Sequence, residues 1–140
     1  MLRRQTSEKN PADWFEFGAE RLSAADILWE HEGLTAPGIE ILQESVERYL
    51  KGYLIANGWT LVKTHDLGRL LKEAVNFDKA FEKFKTLAQE LTEDFFAQHY
   101  PGEDLTDVGQ NYENLRRQTG ELVELIQKSL LQFFPNKPKP

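Results

Sequence analysis

The sequence predicts an all-α protein, an antiparallel up-and-down bundle of four long helices and one short helix. Three observations carry that expectation. Apolar residues recur three and four apart through most of the chain, and no stretch alternates with a period of two. Turn-forming clusters, Gly33 to Gly38, Asn57-Gly58 and Pro101-Gly102, separate the periodic stretches.

The first helix starts at Asn10-Pro11, with Asn as cap, Pro at the first helical position and Asp13 in the first turn. It runs to about Glu30. Trp14, Phe15, Phe17, Leu22, Ala25, Ile27, Leu28 and Trp29 cover more than one stripe of it, which suits a central helix or a subunit interface. Gly33 to Gly38 reads as a break. The second helix spans about Gly38 to Ala56, with Ile39, Leu42, Val46, Tyr49 and Tyr53 inward, and Asn57-Gly58 closes it. Thr64 is the expected cap of a third, short helix of about ten residues, with Asp66 in its first turn. Asp78 caps a fourth, whose face starts at Phe77 or Phe81 and continues through Phe84, Ala88, Leu91 and Phe95 until Pro101-Gly102 stops it. The fifth runs from about Val108 to Phe133, with Tyr112, Leu115, Leu122, Ile126, Leu130 and Phe133 inward, and ends at Pro135.

The 140 residues suit one domain, read as residues 10–134 between flexible tails at 1–9 and 135–140. An apolar fraction of 40%, with nine Phe, four Tyr and three Trp, is enough to fill one core. The net charge is −6, and each tail carries +2, so the body 10–134 carries −10. An acidic body argues against a general nucleic-acid binder, which needs a basic groove. The absence of cysteine excludes disulfides and thiolate metal sites. No signal peptide or membrane span is visible, so a cytoplasmic protein without membrane contact is expected.

Familiar catalytic patterns are missing. His31, His65 and His99 lie more than thirty residues apart, so no pair has the spacing of a helical metal site, and no metal or cofactor is expected. Neither a nucleophile elbow nor a phosphate loop occurs. Two places stand out. On the second helix, Gln43, Glu47 and Lys51 recur every four residues, and Glu44 with Arg48 repeats that spacing. Taken alone, this pattern reads as a solvated face with salt bridges of about 0.3–0.5 kcal/mol each. The second place is Lys63-Thr64-His65-Asp66-Leu67, a capped helix start that also brings an imidazole and free backbone amides together, as an anion site would.

Together these segments resemble the HEPN family (higher eukaryote and prokaryote nucleotide-binding domains), from about Trp14 to Leu130. Gln43, Glu47-Arg48 and Leu50-Lys51 follow the family's Gln…Glu-Lys…Leu-Lys pattern, with Arg48 a conservative departure. Thr64-His65-Asp66-Leu67 is similar to its Thr-His-Asp-Leu signature, and Tyr100-Pro101-Gly102 falls where relatives often have Arg-Tyr-Pro. The resemblance implies a dimerising helical bundle, often encoded beside a minimal nucleotidyltransferase in a toxin–antitoxin-like pair. Many relatives are metal-independent ribonucleases with Arg followed by His after four to six residues. That motif is absent: the eligible positions are Ala24, Ala25 and Asp26 before His31, Gly58, Trp59 and Thr60 before His65, and Thr92, Glu93 and Asp94 before His99.

The leading expectation is therefore a binding module without catalytic residues, forming a homodimer and pairing with a nucleotidyltransferase, with a nucleotide or RNA as ligand. Gln43, Glu47, Lys51, His65, Asp66, His99 and Tyr100 are the candidate ligand-binding residues, with Lys51 on phosphate. One alternative is a ribonuclease toxin using His65 or His99 as acid or base, with Lys51, Arg48 or Arg116 stabilising the scissile phosphate. The other is a structural interaction protein without a ligand site.

Overall fold

A computed structural model describes residues 5–33, 35–99 and 108–134, and all regular structure among them is helical. The elements are α1 (Pro11–Glu32), α2 (Thr35–Ala56), α3 (Leu67–Phe77), a 3-10 segment (Lys79–Phe84), α4 (Lys85–His99), α5 (Val108–Ser129) and a 3-10 turn (Leu131–Phe133).

The α1 start is the expected one: the Asn10 side chain accepts from the Ala12 amide at 3.1 Å, with Pro11 behind it. Gly33 ends the helix at φ 63°, where a left-handed residue lets its amide reach Leu28 and Trp29 carbonyls. Three boundaries differ from expectation. Helix α2 begins at Thr35, inside the expected break, because Pro37 falls in the first turn, where no intrahelical acceptor exists for the N–H that proline lacks. Asp66, not Thr64, caps α3: its carboxylate accepts from the Arg69 amide at 3.2 Å. The Thr64 hydroxyl instead accepts from the Asp66 amide at 3.1 Å, a turn two residues too early to serve the helix. Asp78 caps the 3-10 segment, accepting from Ala80 at 2.9 Å, and α4 begins only after Phe84. Phe81 and Phe84 are buried while Phe77 is 47% exposed, so the apolar face starts at Phe81.

Helix α2 is the centre of the fold. It contacts α1, α3, α4 and α5, and Ile39, Leu42, Val46, Leu50 and Leu54 along it are almost wholly buried. Burying each such side chain contributes roughly 1.5–3 kcal/mol. Helix α1 pairs with it in opposite order along the chain: Gly18 meets Tyr49, and Gly52 meets Phe15. Both glycines permit close approach, since a Cβ would stand 2.7 Å from the Tyr49 ring at position 18 and 2.6 Å from the Phe15 ring at position 52. The Ser45 hydroxyl donates to the Gly18 carbonyl at 2.8 Å within that contact.

Helix α5 is tied to α1 by long side chains. Tyr112 stacks on Trp29 with centroids 5.0 Å apart and donates to the Ala25 carbonyl at 3.2 Å. Arg116 forms a two-pronged pair with Asp26, at 2.6 and 3.1 Å. Phe15 is buried against Tyr49, Phe133 and Phe134. Two of the α1 aromatics that suit either a central helix or a subunit interface, Phe15 and Trp29, thus find cover within the chain.

Candidate functional site

The four-residue spacing on α2 does not make a solvated face. Glu47 is 8% exposed and Lys51 5%, and their ion pair closes at 2.9 Å. Trp14 of α1 lies over the lysine, its ring centroid 5.5 Å from Nζ. Such a pair contributes little net stability as a pair, but removing one partner leaves a buried charge, which costs about 3–5 kcal/mol. The second spacing also resolves differently. The Glu44 carboxylate accepts from Arg21 Nε at 2.7 Å, while Arg48 donates to the Glu44 main-chain carbonyl at 3.2 Å.

Glu47 uses both oxygens. Oε2 accepts from Lys51, and Oε1 lies 2.9 Å from Nδ1 of His65. A carboxylate flanked by an ammonium is acceptor-only, so the proton of the neutral imidazole sits on Nδ1 and leaves Nε2 as a base. The His65 side chain is 90% exposed. A buried cation, a buried anion and an exposed imidazole thus form one chain from beneath Trp14 to the surface. His65 is held there by the connector after α2, whose Thr64 turn and Asp66 cap fix the backbone on either side.

That imidazole opens onto a cleft of about 600 Å³ lined by Glu40, Gln43, Glu44, Glu47, His65, Asp66 and Thr92. Its size is that of a small-ligand site. Among the described residues, four carboxylates line it and no lysine or arginine does. Gln43, one turn before Glu47, brings a buried Oε1 that has no hydrogen-bond partner among the described residues. At the α3 N-terminus, where sequence suggested free amides for an anion, the Asp66 carboxylate takes the Arg69 amide and puts a negative charge in front of the helix. The cleft is therefore rich in acceptors and suits a group that donates hydrogen bonds.

Gln43, Glu47, His65 and Asp66 converge on this cleft, and Lys51 reaches it only through Glu47. The side chain of His99, at the end of α4, and the whole of Tyr100 lie outside the described residues. Arg116 is committed to Asp26, and Arg48 borders a different depression with Phe17, Glu20 and Arg21. Glu40 and Thr92 were missed by sequence reasoning. Glu40 lies four residues before Glu44 and extends its row, a signal that was available; Thr92 comes from α4, and nothing in its local sequence marks it. Among the described residues, no three His, Asp or Glu side chains converge closely enough to hold a metal, and no helix is long and apolar enough to cross a membrane.

Comparison with known proteins adds one finding: the model of the HEPN domain matches residues 12–130, most of the chain. No curated protein and no solved structure matches it.

Proposed function

The chain belongs to the HEPN family, and we propose that it acts as a binding module, dimeric and cytoplasmic, that associates with a minimal nucleotidyltransferase in a toxin–antitoxin-like pair. In this reading the long helices run up and down as an antiparallel bundle, and the cleft beside α2 receives the ligand. The observation that carries the proposal is the buried Glu47 carboxylate, held by Lys51 and joined to the exposed His65 at 2.9 Å. Stability alone does not call for such an arrangement, because apolar residues of similar volume would serve as well.

The lining chemistry narrows the ligand. Glu40, Glu44, Glu47 and Asp66 repel a phosphate but accept from an amine or amide. A nucleotide would enter base first, its exocyclic amine toward Glu47 and Gln43, with its phosphates outside. Lys51 then acts as a positioning residue for Glu47, because its ammonium is buried and paired.

The imidazole backed by a carboxylate favours one second reading, acid–base cleavage of RNA by His65. Among the described residues, no guanidinium or ammonium lines the cleft to stabilise a scissile phosphate, which places this reading second. Recovery of the tagged protein from its native host tests the first reading. A nucleotidyltransferase-like companion and a mass of two copies by light scattering are expected. A bare monomer, or cleavage of total RNA in chelator that His65→Ala abolishes, would contradict it.

A further inference from the structure

Beyond Asp66 a second depression of about 690 Å³ runs between α3 and α4. It shares Asp66 and Thr92 with the acidic cleft, which fixes the end nearer to that cleft. Its floor is hydrocarbon, with Leu71 and Ala88 from the core and the half-buried Val75. The charges along it are segregated. Asp66 and Glu93 stand at the end shared with the cleft, Lys85 stands at the other end, where α4 begins, and Lys72 lies just past the middle of the α3 side. Both lysines are exposed, and neither has an ion pair or hydrogen bond among the described residues.

We propose that this groove holds a short amphipathic segment of a partner protein, apolar on one face, acidic at one end and basic at the other. The apolar face would cover Leu71, Val75 and Ala88, its acidic end would meet Lys72 and Lys85, and its basic end Asp66 and Glu93. Charge complementarity selects this occupant: the groove is polar along its length, so a uniformly acidic or basic ligand meets repulsion at one end. Size selects a segment over a folded surface. Helix α3 borders the groove from Asp66 to Asn76, about 15 Å at 1.5 Å per residue. That length matches about three turns of one helix, the scale on which an amphipathic helix lies in a groove. The assignment does not rest on the ligand proposed for the acidic cleft.

The test uses the full chain and two labelled helix-forming peptides of twelve residues with the same leucine stripe. One carries glutamates at one end and arginines at the other, and the second carries arginines at both ends. Fluorescence anisotropy should show the mixed-ended peptide binding wild type at least tenfold more tightly than the doubly basic one. Lys72→Glu with Lys85→Glu changes only exposed side chains and should invert that preference. Four results would overturn the proposal. One is no saturable binding of the mixed-ended peptide, and a second is the same preference in both proteins. Another is saturable uptake of dodecanoate without any peptide preference, which marks a site for a small anionic amphiphile. The last is self-association of the free chain that the double variant abolishes, which gives the groove to a second copy.

Discussion

Glu47 is the residue on which the site turns. It is a buried charge balanced by Lys51 on one side and hydrogen-bonded to His65 on the other. Replacing either member of the buried pair by an apolar residue, Glu47→Leu or Lys51→Met, should cost about 3–5 kcal/mol in urea denaturation. The double variant should recover most of that loss, since two apolar side chains of similar volume leave no uncompensated charge. A double variant as unstable as either single one would show that the pair is essential to folding. Tyr112 makes a separate claim. Burial, with Asp26 adding to it and Arg116 opposing, pushes its phenol from 10.0 up to about 12. The unfolded chain therefore loses that proton first, and the stability present below pH 10 should drain away between about pH 10 and 12. Tyr49 and Tyr53 shift in the same direction, each chiefly through burial. Melting temperature against pH should fall less steeply through that window in Tyr112→Phe than in wild type.

At the scale of elements, the caps and the α1–α2 contact carry the tests. Asp66→Ala removes the acceptor for the Arg69 amide and should cost about 1 kcal/mol, whereas Thr64→Ala, which loses only a turn, should cost less. The reverse order in denaturant midpoints would return the cap to Thr64. Gly52→Ala forces a methyl to within 2.6 Å of the buried Phe15 ring, so a loss of about 1–3 kcal/mol is expected. The elements themselves were legible in the sequence, because long stretches with one apolar period leave few alternatives. Their ends were less so. Thr64 and Asp66 both suit a cap, and only the distance from each oxygen to the amides beyond decides between them. The candidate site was half legible. The spacing of Gln43, Glu47 and Lys51 shows that they share a face, but not that Trp14 and the connector cover it. Likewise, nothing in the spacing of Glu44 and Arg48 shows that Arg21, on another helix, takes the carboxylate.

On the whole-molecule scale the body is acidic, at −10 over residues 10–134, and the cleft repeats that sign at close range. The two depressions that meet at Asp66 divide the work proposed for this face: a donor-bearing ligand on the acidic side, a partner segment on the apolar side. They meet at the N-terminus of α3, a short helix whose start is fixed by the Asp66 carboxylate. The central claim is that the Lys51–Glu47–His65 chain exists for recognition, and His65 is the member that separates recognition from folding. It is exposed, so its loss removes one hydrogen bond from Glu47 but no apolar packing, and the buried Lys51 still pairs with that carboxylate. The most direct measurement is the affinity of the His65→Ala variant for the companion recovered from the native host, by calorimetry beside a melting curve of each free protein. Affinity at least tenfold weaker, about 1.4 kcal/mol, with the melting temperature unchanged, is the predicted result; unchanged affinity would contradict the claim and leave His65 an ordinary surface residue at a helix start.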